Sequence, residues 1–425
     1  MLDLDFIRGN PDKVKAAAAN KGDKADLDGL LKLDEERRRL VRELEQQRSQ
    51  LNAASKKVAE LKRSGQNADE LIAQNRQLAD QIKQLDSQRT TFDGKIEQIL
   101  LRVPNVPAED VPIGRTAQDN VEVKSWGQKR SFDFKPAAHW DLAKMHGLID
   151  FERAAKIAGS NFALFMGEGA KLERALINFM LELHTTKHGY TEISPPFLVN
   201  RKAMTGTGQL PKLEEDMYRC EIDDFFLIPT AEVPVTSIHA GEVLEAERLP
   251  IYYTAYSGCF RREAGSYGKE TRGLLRVHQF DKVELVKLVR PETSYDELEK
   301  LLKDALDVIE ALGLPYRVMK LCTGELSFSA AKCYDIELWA PGVERWLEVS
   351  SCSNFEDFQA RRAGIRFRER GGKPQFVHTL NGSGVALPRL VIAILENYQN
   401  ADGTITVPEA IRPFMGGREV IGKNA

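Results

Sequence analysis

Three observations predict an α+β protein in which a long antiparallel coiled-coil hairpin precedes an antiparallel β-sheet flanked by helices. Leu30, Leu33, Leu40, Leu44, Leu51, Ala54, Val58 and Leu61 keep one alternating three-and-four spacing, which is a heptad seam, and a second seam runs through Leu71, Leu78, Ile82, Leu85, Phe92, Ile96 and Ile99. Pro104, Pro107 and Pro112 then punctuate a segment too stiff for either element, which marks a boundary. Beyond it, strand-like runs follow one another through hairpin signals with no βαβ alternation, so the sheet is expected to be antiparallel with helices packed on it.

Residues 5–19 read as a short helix, with Asn10-Pro11 giving a cap and a first-turn proline to its main part. Arg37 and Gln47 interrupt the first seam, and Asn75 and Arg89 the second. Between the seams stands a break at Ser64-Gly65-Gln66, followed by Asn67-Ala-Asp-Glu70 in the form of a capping box. So short a break cannot join parallel helices, so the two must fold back on each other. A helix of about 33 residues projects roughly 50 Å. Between Leu31 and Arg63 there are ten Lys or Arg against six Asp or Glu, an excess of positive charge suited to phosphates. Alone, such a hairpin would read as a spacer or a dimerisation coil. The expected organisation is an N-terminal domain over 1–103 with its arm at about 28–100, a linker over 104–116 and a second domain over 117–425.

In that second domain, helices are expected at about 137–157, 170–188, 293–312, 355–363 and 385–399. Strands are expected near 191–193, 225–228, 251–260, 274–288, 315–321, 332–339, 345–350 and 376–380. Gly382-Ser-Gly384 lacks the third glycine of a dinucleotide-binding loop and is discounted as one.

The 425 residues suffice for two or three domains, and no apolar run reaches bilayer length. The start, Met1-Leu-Asp-Leu-Asp-Phe, lacks the basic-then-apolar layout of a signal peptide, which makes the cytoplasm the expected compartment and excludes a membrane partner. A net charge of only -3 means that a nucleic acid must be held by local basic patches. Five scattered cysteines, none in CxxC spacing, read as free thiols with no zinc set among them.

The stretch from Tyr256 to Glu284 reads as two strands joined by a polar loop holding glycines, arginines and a lysine, a composition that suits folding over a nucleotide. Phe260-Arg-Arg-Glu263 and Asn381-Gly-Ser-Gly-Val-Ala-Leu-Pro-Arg389 resemble the second and third signature motifs of class II aminoacyl-tRNA synthetases. Adding Pro229-Thr-Ala-Glu232 and Glu348-Val-Ser-Ser351 narrows the resemblance to the seryl-tRNA synthetase family, over essentially the whole chain. Lys171 to His188 followed by Gly189-Tyr-Thr-Glu-Ile-Ser-Pro-Pro196 looks like the first motif, which in that family builds a homodimer interface.

The resemblance implies activation of L-serine by ATP with Mg2+ and transfer of the seryl group to the 3′ end of tRNA(Ser), with tRNA(Sec) left open as a second acceptor. The arm is then the part that reaches the tRNA. The first step is attack of an already ionised carboxylate on the α-phosphorus, so the site needs positioning and positive charge rather than a general base. By resemblance Arg261 contacts the α-phosphate and, with Thr230, Ala231, Glu232, Glu284 and Ser383, the serine. Arg262, Glu263, Val277, Glu348, Val349, Ser350, Ser351 and Arg389 are expected around ATP, with Glu263 on the same strand face as Arg261 and reaching the adenine side. Glu348 and Ser351, on or just after a strand rich in apolar residues, are the candidate magnesium ligands, since Mg2+ takes one or two carboxylates plus substrate phosphates. Arg261, Glu348 and Arg389 form the expected catalytic set. His278 is read as a satisfied sheet histidine. Two rivals remain, an enzyme of the same chemistry that charges a carrier protein and a coiled-coil adaptor with a degenerate body. The first would not need a long basic arm, and the second would be expected to lose these charged residues.

Overall fold

The computed structural model describes residues 1–264 and 272–422, and it divides into two compact units. One comprises residues 2–19 and 23–104, the other Met1, residues 20–22 and 105–422. The middle of the polar loop, 265–271, lies outside the described residues.

In the first unit the expected single helix over 5–19 is two, Leu4–Gly9 and Pro11–Asn20, because Asn10 leaves helical geometry before the proline. The seams form Leu27–Arg63 and Asp69–Leu100. Arg48 pairs with Asp86 at 3.3 Å and Arg37 with Asp93, so rising numbers on one helix meet falling numbers on the other, as an antiparallel hairpin requires. The longer helix, with 37 residues, spans about 55 Å. Its base is dry, with Leu30, Leu40, Leu44, Ile96 and Leu100 buried, while Leu51, Val58, Leu78 and Leu85 farther out are half-exposed. Asp34 is also buried there and accepts from Arg8 at 3.1 Å. The expected capping box is instead a single bond, the Asp69 amide donating to Asn67 Oδ1 at 2.7 Å.

The second unit is built on an eight-stranded sheet. From edge to edge it runs Val121–Trp126, Tyr316–Lys320, Lys332–Ala340, Arg345–Asn354, His378–Ala386, Gln279–Val289, Ile251–Phe260 and Thr191–Glu192, antiparallel except at the last pair. The helix Ser294–Ala311 covers one part of it through Leu298, Leu301, Leu302, Ala305 and Ile309, the i, i+3, i+4 stripe of an amphipathic helix. Glu168–Thr186 contributes Leu172, Leu176 and Met180 to the same core, and Leu387–Asn397 contributes Leu390, Val391 and Ile394.

Several boundaries differ from expectation for local reasons. The helix over 137–157 is split into His139–Met145 and Phe151–Ala158 by Gly147, whose φ of 60° belongs to the left-handed region. Strand 274–288 begins only at Gln279, while 345–350 and 376–380 extend to Arg345–Asn354 and His378–Ala386. Those extensions matter for the site. The two long strands pair only at Ser353 with Asn381 and Asn354 with Leu380, and beyond that they diverge and open a cleft.

Candidate active site

The cleft holds about 630 Å³, within the range of small-molecule sites. Thr230, Glu232, Lys282, Glu284, Asn381 and Ser383 line one part of it, all buried. Lys282 and Glu284 share a face of Gln279–Val289 because they are two residues apart, and Ser383 stands directly opposite Glu284 on His378–Ala386. Thr230 Oγ1 donates to Glu284 Oε2 at 3.1 Å, and Lys282 Nζ donates to Thr230 Oγ1 at 2.9 Å while lying 2.6 Å from the same Glu284 oxygen. Gln359 Nε2 donates to Glu232 Oε1 at 2.6 Å. Burial, and next the Glu284 carboxylate, push Glu232 up to about 7, so this end of the cleft holds more negative charge than it can comfortably ionise.

Arg261, Glu263, Arg276, Val277, Glu348 and Arg389 line the other part. Arg261 follows directly after the Ile251–Phe260 strand, its Nε donating to Pro229 O at 3.3 Å and its guanidinium lying 5.1 Å from the Phe280 ring centre. The expectation that Glu263 shares a strand face with Arg261 is overturned: the strand stops at Phe260 and Glu263 turns with φ of 52°, its carboxylate pairing with Arg276 at 2.8 Å. Arg389 sits in the first turn of Leu387–Asn397 and donates to Glu348 O at 2.8 Å and to Glu348 Oε2 at 3.4 Å.

Glu348 lies on the strand as expected, and Ser351 is within it too because the strand runs on to Asn354. Ser351 Oγ donates to Asp335 Oδ1 at 2.6 Å. Burial and the Glu348 charge hold Asp335 well above the usual carboxylate range, an excess of negative charge that a cation would relieve. One half-exposed carboxylate, one hydroxyl and room for phosphates are a donor set that fits Mg2+. Among the described residues no group of three His, Cys, Asp or Glu side chains could hold a metal ion by itself.

Three sequence-predicted residues stand outside the lining. Ala231 packs in a core cluster with Val235 and Leu244, Arg262 is exposed with its guanidinium 5.9 Å from the Tyr218 ring centre, and Ser350 Oγ donates to Ser383 O at 2.7 Å, tying the diverging strands together. His278 Nδ1 lies 3.0 Å from Arg261 O, which accepts from the imidazole N–H in the Nδ1-protonated tautomer, and so helps to hold that backbone. Sequence reasoning missed Lys282, Arg276 and Asn381 as lining residues. For Lys282 the signal was present, since it alternates with Glu284 along a strand.

A family model described as the seryl-tRNA synthetase N-terminal domain matches residues 1–107, and one described as the class II tRNA synthetase core domain matches 218–398. The serine–tRNA ligase of Clostridium tetani is 55% identical over 425 residues, covering 99% of this chain and 100% of that one. The serine–tRNA ligase of Caldanaerobacter subterraneus is 57% identical over 416 residues, 98% of each. Among solved structures, seryl-tRNA synthetase from Pyrococcus horikoshii, complexed with ATP, matches with a TM-score of 0.93 at 38% identity over 99% of each chain.

Proposed function

The chain belongs to the seryl-tRNA synthetases, and from that premise we propose how its cleft and its arm divide the work. It activates L-serine with ATP and charges tRNA(Ser). The observation that carries the assignment is the polarity of the cleft, two buried carboxylates at one end and separated guanidinium groups at the other.

Serine binds at the carboxylate end. Its ammonium group meets Glu284 and Glu232, and Thr230, Ser383 and Asn381 supply partners for its hydroxyl. A pocket built to hydrogen-bond a hydroxyl discriminates against substrates that lack one far better than apolar contacts do. The serine carboxylate is left facing Arg261. Arg261 steadies the charge that grows on the α-phosphoryl oxygens, and the Phe280 ring beneath it fixes where its guanidinium lies. Arg389 holds the distal part of the nucleotide, with Val277 and Glu263 toward the base. Glu348 and Ser351 would hold Mg2+, which when bound neutralises phosphate charge and helps pyrophosphate leave.

The arm reads the tRNA by shape and backbone, using its excess of Lys and Arg. The chain works as a homodimer through the Glu168–Thr186 helix and the exposed edge strand Thr191–Glu192 that follows it, each arm serving the tRNA charged by the other subunit. The cytoplasm is its compartment; no helix among the described residues is long and apolar enough to cross a membrane. Deleting residues 30 to 99 tests the division of labour. ATP–pyrophosphate exchange with serine should stay within about a factor of three, while charging of tRNA falls by at least roughly 100-fold as the phosphate contacts are lost. Equal loss of both activities overturns it.

A further inference from the structure

Lys282 is the one cation buried at the carboxylate end of the cleft among the described residues, and its surroundings say what it is for. On the strand to one side, Ser257 stands opposite Lys282 and Ala255 opposite Glu284; on the other side Ala386 and Ser383 do the same. These small neighbours leave room for the lysine stem to run along the strand and bring Nζ back to Glu284, two residues away. Both contacts that Glu284 makes, from Thr230 Oγ1 at 3.1 Å and Lys282 Nζ at 2.6 Å, fall on Oε2. A carboxylate tied twice through one oxygen cannot rotate, and its other oxygen is left for a ligand.

Charge counting leads the same way. Buried charges are stable only when matched, and Lys282 is a single cation beside two buried carboxyl groups, Glu232 and Glu284. One further cation completes the balance. A neutral hydroxy acid does not supply it, and an amine does.

We propose that Lys282 is a positioning and specificity-determining residue of the serine pocket: it fixes the rear oxygen of Glu284 so that the front oxygen meets the substrate's ammonium group, and it leaves the pocket one positive charge short. This rests on the assignment of Glu284 to serine binding made above. Methionine has the reach of lysine without its charge or donors, so Lys282→Met removes the function while keeping the bulk.

The test compares two unreactive adenylate mimics, seryl sulfamoyl adenosine and its counterpart carrying a 3-hydroxypropanoyl group, which lacks only the amine. Dissociation constants are measured by calorimetry on the full-length wild type, Lys282→Met and Lys282→Gln. Wild type should favour the amino compound by at least about 100-fold, as a charged hydrogen bond in a dry site does. Both variants should shrink that preference at least about tenfold, mainly by weakening the amino compound. Because a ratio is read within one preparation, a partly unfolded variant does not disturb it. A preference unchanged in both variants overturns the role of Lys282 and leaves the serine pocket standing. Absence of the preference in wild type overturns both.

Discussion

At the serine end of the cleft the polar side chains are buried and four of them are tied together in pairs, Thr230 to Glu284, Lys282 to both, and Gln359 to Glu232 nearby. At the nucleotide end Arg261, Arg276 and Arg389 stay partly exposed; among the described residues Arg261 has one long hydrogen bond, to Pro229 O, and Arg389 bonds only to Glu348. The difference follows from the substrates. A small amino acid offers few atoms to recognise, so selectivity needs a dry pocket whose groups are fixed beforehand. A triphosphate offers many charges and must leave as pyrophosphate, so that end needs strong cations on long stems that remain solvated and can let go.

The sharpest way to break this contrast is to remove Arg261. Arg261→Ala should lower the exchange kcat by about 100- to 1,000-fold, the usual cost of losing one donor aimed at developing charge. It should shift Tm by less than about 2 °C, since a partly exposed side chain with one long internal bond contributes little to stability. Kinetics and thermal melts of the same sample check both. A large loss of Tm would mean that the nucleotide end is as tightly knit as the serine end.

Removing Arg389 sharpens the contrast with a smaller effect. Arg389→Ala should raise the ATP KM by about 10- to 30-fold, the worth of one charge-assisted contact, while the serine KM moves by less than about twofold. Exchange measured with each substrate varied in turn separates the two. If both constants rise together, the ends are one coupled site.

What the sequence disclosed also divides by region. The arm was legible because its signals are local: the spacing from Leu30 to Leu61 and from Leu71 to Ile99 declares two helices, and the short break between them declares an antiparallel hairpin. In the sheet, locality fails. Gly382 and Gly384 look like loop residues, yet both lie within His378–Ala386. A Cβ on Gly382 would meet Cys352 Sγ at 2.8 Å and one on Gly384 would meet His184 Nε2 at 2.6 Å, so these glycines serve close packing and not a turn. The edge strand Val121–Trp126 was missed because it is exposed along its whole length and carries no burial pattern. The motif residues Arg261, Glu284, Glu348 and Arg389 could be named from wording alone, and all four line the cleft. Lys282 alternates with Glu284 along one strand and so could have been placed on its face, but its bond to Thr230, 52 positions away, is visible only in the fold.

The serine end makes one further prediction, in pH, where the expected effect is smallest. Glu232 is pushed up to about 7 by burial and by Glu284, while Lys282 and the Gln359 amide pull the other way. A raised acid keeps its proton in the empty site below that value, and an ammonium group binds the ionised form. Serine binding therefore has to expel a proton as pH falls through 7, and affinity drops by nearly tenfold per unit below it. Between pH 7.5 and pH 6 the serine KM should rise about eightfold, reading an apparent value near 7. The ATP KM should stay nearly level, since arginine side chains keep their charge throughout. Glu232→Gln has no proton to expel, so its serine KM, although higher, should be flat over the same range. A slope that survives in Glu232→Gln would assign the titration to another group, and a matching slope in the ATP KM would remove the distinction between a dry end that feels pH and a solvated end that does not.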